Sequence, residues 1–194
     1  DKPMILFENT RLISFAPPAV SAPLDLVAWE PGEDEGQPGK IAAIGKELAK
    51  RFPGAGKTGA GGYLSPGLVC AHNHLYSALS RGIGVPIKPS KDFVQVLQHL
   101  WWRLDRAIDL PILKASALAG GAEALCAGVT SVVDHHAGPS AIDGSLSVLE
   151  NAFEELGLRG ILCYETSDRN GKEGMKAGIR DRKSTRLNSS HRIR

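Results

Sequence analysis

From residue 66 onward the chain alternates short apolar runs with segments of helical period, and this alternation limits the possible folds more than any other feature. The run "PGLVCAH" (66–72) is almost unbroken apolar, as in a strand buried on both faces. Between Lys91 and Ile108 the apolar residues Phe93, Val94, Val96, Leu97, Leu100, Trp101, Leu104 and Ile108 recur with a helical period, and Ser90 is the expected N-cap. A second helix is predicted from Pro111, a favoured first-turn residue, to just before Gly128, a favoured C-terminal stop. "VTSVVDHH" (129–136) reads as a β-branched strand. A helix capped by Ser140 then runs to Glu155 and stops at Gly157, and "RGILCYET" (159–166) is a third strand. Strand, helix, strand, helix, strand makes two βαβ units, so an α/β fold with a parallel sheet is predicted. In such sheets functional side chains gather at the C-terminal strand ends, where the histidine-bearing stretches fall.

The first of these is "VCAHNHLYSALSRG" (69–82). Residues two apart on a strand point the same way, so His72 and His74 can share one metal ion. Zinc takes neutral imidazole nitrogen and, in catalytic sites, usually three protein ligands plus water. Two satisfied loop histidines are the competing reading. The position directly after a buried strand opened by Pro66-Gly67 favours the metal. Asp134-His135-His136 ends the next strand. Successive residues alternate faces, so one of the two histidines points inward while the strand stays regular. His136 is the favoured candidate because it is taken to stand beyond the strand end, as a substrate contact or a partner to a metal ligand; a capping or solvent-facing histidine is the alternative. Tyr76 and Arg81 follow the His pair closely enough to reach a bound substrate, or stand exposed. His99 and Trp101 lie on the predicted helix and read as structural.

The first 65 residues differ in character. "MILFENTRLISF" (4–15) suggests two short strands around the turn-prone Glu8-Asn9, and 23–30 and 40–45 are further strands. A polar Gly/Pro loop occupies 31–39. Residues 46–62 read as a short helix followed by a flexible Gly-rich loop. "GAGKTG" (54–59) is not a phosphate-binding P-loop, because the spacing requires Gly at 51, which is Arg51. A small β-rich unit over 1–65 followed by the α/β region is therefore expected.

The last 14 residues, "DRKSTRLNSSHRIR", hold five of the 23 Lys and Arg. The rest carries 18 basic against 20 acidic residues, which gives no electrostatic reason to expect nucleic acid. The tail has almost no apolar residues and no structural period. It resembles, codon for codon, a translated sequencing adapter, so 181–194 is expected to be non-native and the natural chain to continue past Arg180. No apolar run approaches the roughly 20 residues of a membrane span. Three widely spaced cysteines, Cys70, Cys126 and Cys163, suggest reduced thiols and a cytoplasmic setting. No G-x-S-x-G nucleophile elbow occurs, nor the H-x-E with P-C-x-x-C of the cytidine-deaminase zinc site.

At "SPGLVCAHNHLYSALSRG" the chain resembles the amidohydrolase superfamily, whose first barrel strand ends in H-x-H. With "LWWRLDRAID", "GVTSVVDHHAGPSAI" and "CYETSDRNG", it is similar to the SsnA-type aminohydrolases, relatives of guanine deaminase and the chlorohydrolases. The resemblance implies a partial (β/α)₈ barrel, its first three strands in 66–180, preceded by an incomplete small sandwich in 1–65. It further implies one divalent metal ion, zinc or iron, with His72 and His74 as two of its ligands. The remaining ligands and the catalytic acid–base residues are expected beyond residue 180. The implied activity is hydrolytic deamination of a small nitrogen heterocycle through metal-bound hydroxide, by a full-length enzyme for which the relatives suggest a homodimer; the piece in hand is expected to be inactive. A cyclic-amide hydrolase of the dihydropyrimidinase type, using a carboxylated lysine from a later strand, and a non-catalytic scaffold are the alternatives.

Overall fold

The computed structural model describes residues 4–29, 39–84 and 88–188. They form two compact units, divided between Pro66 and Gly67. The polar loop read at 31–39 lies, apart from Gly39, outside the described residues.

In the first unit, β1 (Met4–Phe15) pairs antiparallel with β2 (Pro18–Val20) and β3 (Leu24–Trp29), and β3 pairs with β4 (Lys40–Gly45). After the short α1 (Leu48–Arg51), β5 (Gly56–Ala60) and β6 (Tyr63–Leu64) run parallel to β1. Two expectations fail here. The two strands read in 4–15 are one. Asn9 adopts φ 51° and the register shifts between Phe7 and Thr10, so the residues expected to turn the chain produce only an irregularity, which asparagine tolerates. The stretch read as a flexible loop at 54–59 is largely strand, because its backbone completes pairing along β1 and Lys57 reaches Glu8 at 3.1 Å. Leu6, Val27 and Leu48 form this unit's core.

The second unit holds the α/β part. β7 (Leu68–Asn73) leads into a 3₁₀ turn (Leu75–Ser80). A helical stretch follows as α2 (Phe93–Val96), a five-residue π segment (Leu97–Trp101) and α3 (Trp102–Ala107). Then come α4 (Leu110–Cys126), β8 (Val129–His136), α5 (Ser145–Leu156), β9 (Arg159–Tyr164) and α6 (Gly171–Asn188). The sheet order is β7-β8-β9, all parallel. Between sheet and helices lies a core built on Leu113, Ala117, Val132, Leu146, Leu149, Ala152 and Phe153. Gly160 on β9 lets the Phe153 ring lie close; a Cβ there would stand 2.2 Å from it.

The helix starts differ from expectation in their capping residues. Asp92, not Ser90, caps α2 by accepting from the Gln95 N–H at 2.8 Å. Ser140 donates to the Arg106 carbonyl, and the N-cap position of α5 falls at Gly144 instead. The start of α5 is capped from another element. Asp181 accepts from the Gly144 N–H at 2.7 Å and from the Ser145 hydroxyl at 3.2 Å, placing a carboxylate at a helix N-terminus. Asp181, the first residue of the expected tail, is thus buried within the second unit. The strand read at 66–72 as covered on both faces has one face open, with Leu68 46% and Val69 66% exposed. No helix among the described residues is long and apolar enough to cross a membrane.

Candidate metal centre

β7 carries His72, and the residue just after it is His74, at the C-terminal edge of the sheet beside the end of β8, where Asn73 pairs with Asp134. The two Nε2 atoms stand 3.1 Å apart. Two nitrogens each about 2 Å from one tetrahedral ion would stand about 3.3 Å apart, so the pair has the spacing of two ligands on a common ion. The second ring nitrogen of His74 supports this. Its Nδ1 lies 2.9 Å from the His135 carbonyl oxygen. A carbonyl only accepts, so Nδ1 carries the proton and Nε2 keeps a free lone pair, the tautomer a metal requires. Among the described residues no group of three or more His, Cys, Asp or Glu side chains converges in this way. The donor set here is two imidazoles.

Strand parity sorts the residues around the pair. The His135 ring packs 4.6 Å from the His72 ring centroid and 5.8 Å from that of His74. His136 faces away. It is wholly buried between Tyr76 and Tyr164, and its Nε2 donates to the Ala141 carbonyl at 3.1 Å. The preference for His136 over His135 is therefore reversed, and the reason is simple. β8 stays regular and paired with β9 through residue 136, so alternation holds to its last residue. Burial pushes the His136 imidazole down to about 4, against smaller upward pulls from the Ala141 carbonyl and Asp181. On the same face, burial pushes the Asp134 carboxyl up to about 6, opposed first by the hydrogen bond from the Leu75 N–H.

Tyr76 also belongs to the packed side. Its hydroxyl donates to Asp105 Oδ1 at 3.0 Å, and Asp105 Oδ2 accepts from Arg169 at 3.1 Å. The Arg169 guanidinium lies 5.4 Å from the Trp102 ring and 3.6 Å from Glu165. Burial, then the Asp105 charge, holds the Tyr76 hydroxyl far above its usual range, and burial also raises Asp105. A hydroxyl so engaged is not free for a ligand. Arg81 is exposed and pairs with Glu123, at the rim of a cleft of about 880 Å³. That cleft contains His72 and His74 and is walled by His99, Trp101 and Arg103, so Trp101, read as core, lines it. The interruption of the helix by a π segment over Leu97–Trp101 falls at this wall, as π insertions often do near sites.

The model of the amidohydrolase family matches residues 63–194, which spans the His pair, the cleft wall and all three parallel strands. The chain belongs to the amidohydrolase family. Two curated relatives give the likeness more detail. A 5-methylthioadenosine/S-adenosylhomocysteine deaminase of Thermococcus sibiricus is 29% identical over 142 residues, 73% of this chain and 31% of the relative. An 8-oxoguanine deaminase of Pseudomonas aeruginosa is 32% identical over 111 residues, 56% of this chain and 24% of the relative. Among solved structures, an adenosine deaminase from Xanthomonas campestris with bound zinc superposes with a TM-score of 0.71 at 17% identity, covering 97% of this chain and 40% of that one; this likeness concerns the fold. The amidohydrolase chain thus spans less than a third of the length of these curated relatives.

The packed-side residues Asp134, Asp105 and Arg169 were not candidates on sequence. Only Asp134 had a local signal, a carboxylate inside an otherwise apolar strand next to two histidines.

Proposed function

We propose that this chain supplies the first part of the active site of a metal-dependent aminohydrolase, with His72 and His74 as two ligands of one divalent ion. The convergence of their Nε2 atoms, with the His74 tautomer set by the His135 carbonyl, carries this reading. Two neutral imidazole nitrogens suit a divalent ion, zinc or iron. Such an ion, when bound, would lower the pKa of its water to about 7 and polarise a substrate. Around it, the His135 ring beside the pair would help orient a substrate, and the cleft lined by Arg81 and Trp101 has room for a flat heterocycle. The deaminase relatives favour hydrolytic loss of ammonia from a small nitrogen heterocycle. We further propose that β7, β8 and β9 are the first three strands of an eight-stranded α/β barrel and that residues 1–65 belong to a small sandwich. Val69 and Ile161, both well exposed, share the sheet face of His135 by register, which a closed barrel would cover.

The test is equilibrium competition for zinc against a chromophoric chelator, using this chain. One zinc per chain is expected, weakened at least about tenfold in His72→Ala and in His74→Ala and unchanged in His136→Gln. A wild-type chain that takes no zinc, or one indifferent to both alanine variants, sinks the reading. Little or no ammonia release is expected from this chain alone, since two ligands leave the site open.

A further inference from the structure

The 3₁₀ turn that follows His74 is short, and 3₁₀ geometry holds itself weakly. Its first residue is nevertheless gripped from two sides. Asp134 Oδ1 accepts from the Leu75 N–H at 2.7 Å. The Ser116 hydroxyl, on α4, donates to the Leu75 carbonyl at 2.7 Å and accepts from the Leu79 N–H at 3.2 Å. Both side chains are fully buried, and Asp134 Oδ2 has no partner among the described residues. A buried carboxylate with one oxygen unsatisfied and a hydroxyl within a helix are costly choices where apolar side chains would fit. One turn along α4, Gly120 permits the close approach, since a Cβ there would stand 2.8 Å from both Ala78 Cβ and Leu75 Cδ2. The backbone of His74 is held as well. Its N–H donates to Asn73 Oδ1 at 2.7 Å, and its carbonyl accepts from the Ser77 N–H and hydroxyl at 3.1 and 3.0 Å.

We infer that Asp134 and Ser116 are positioning residues for the metal ligand: together they clamp the Leu75 peptide groups and so aim His74 Nε2 at the ion it shares with His72. This rests on the proposed metal site. The clamp works through backbone alone, so neither residue needs to touch metal or substrate. It also couples α4 and β8, two elements distant in sequence from His74, to the geometry of one ligand.

The experiment compares zinc affinity and Leu75 amide hydrogen exchange in wild type, Ser116→Ala, Asp134→Ala and Asp134→Asn, with Ser145→Ala as control. Ser145 is equally buried and bonds Asp181, so its loss destabilises the unit without touching the clamp. Ser116→Ala and Asp134→Ala are expected to weaken zinc by about tenfold or more, while Asp134→Asn, whose amide oxygen still accepts from Leu75, stays within about threefold. Leu75 exchange should accelerate in the two alanine variants only. If Asp134→Ala does not fold, Ser116→Ala decides alone. A folded Ser116→Ala that binds zinc as wild type overturns the clamp, and so does a Ser145→Ala that loses zinc equally. A wild-type chain with a protected Leu75 amide and no zinc binding would overturn the metal reading first, and the clamp's purpose with it.

Discussion

The end of β8 has two faces, and they use similar side chains in opposite ways. On the open face, His135 lies beside His72 and His74, which line a cleft, and its backbone carbonyl sets a tautomer. On the packed face, Asp134 and His136 are sealed beneath the helices beside Tyr76, and Tyr76 in turn bonds Asp105, which accepts from Arg169. The open face keeps nitrogen lone pairs available. The packed face spends one polar atom of each residue on holding loops together, Asp134 Oδ1 on the Leu75 N–H and His136 Nε2 on the Ala141 carbonyl. What separates a chemical role from a structural one is thus a single step of strand parity, not residue type.

The largest effect that would sharpen this contrast belongs to Asp105. Asp105→Ala leaves the Arg169 charge and the Tyr76 hydroxyl without their shared partner, and breaking a buried pair in this way costs about 3 kcal/mol. The urea midpoint should fall accordingly. A loss below about 1 kcal/mol, the range of an exposed pair, would mean that the packed face is not a structural unit and would break the comparison.

Next comes the pH response of the packed face. His136 sits at about 4 when folded, against an ordinary 6.5. Between these values the unfolded chain takes a proton that the folded chain refuses, so stability falls as pH falls from 6.5 to 4. Asp134 sits at about 6 against an ordinary 3.8. The folded chain keeps a proton that the unfolded chain releases, so stability falls as pH rises from 3.8 to 6. The two slopes oppose each other over most of their range. Removing one exposes the other. Relative to wild type, His136→Gln should gain stability as pH falls through this window and Asp134→Asn should lose it, each by about 2 kcal/mol in all. Denaturant titrations at several pH values would show it, and two differences of the same sign would refute the pairing.

The order of strands and helices in the second unit was legible as far as β9 because apolar period and glycine stops are local signals; α6, whose polar sequence lacks that period, was not read. His72 and His74 were legible for a related reason, since parity puts residues two apart on one face. The same rule, trusted to the end of β8, would have chosen His135 over His136; the misreading came from ending the strand too early. Ser116 and Asp134 stand 41 and 59 residues from Leu75, so nothing local marks them as its partners. Tyr76 was misplaced for the same reason, because its partner Asp105 arrives on a separate helix. In the first unit, glycine-rich 54–59 looked like a loop, yet pairing with β1 is a tertiary demand that overrides weak strand propensity.

A smaller effect probes the contact behind the open face. Gly120→Ala would drive a methyl into Ala78 and Leu75 at 2.8 Å. Overpacking costs about 1–3 kcal/mol, offset by about 1 kcal/mol of helix propensity, so a net loss of about 1 kcal/mol is expected. Zinc affinity should fall along with it, because the displaced segment begins at Leu75. A variant that loses stability yet keeps its zinc affinity would show that α4 supports the packed face only.

The smallest effect is the sharpest test of the division. His135→Ala removes a ring from the open face but keeps the carbonyl that accepts from His74 Nδ1. The ring's own Nδ1 is buried without a partner among the described residues, so little stabilising interaction is lost and stability should change by less than about 0.5 kcal/mol. Zinc affinity should stay within about twofold, because a hydrogen-bond partner that tunes a ligand does so here through backbone. A tenfold loss of zinc on His135→Ala would make the ring itself a ligand. The open face would then be a three-histidine site, and the role given to His135 as a substrate-orienting residue would have to be abandoned.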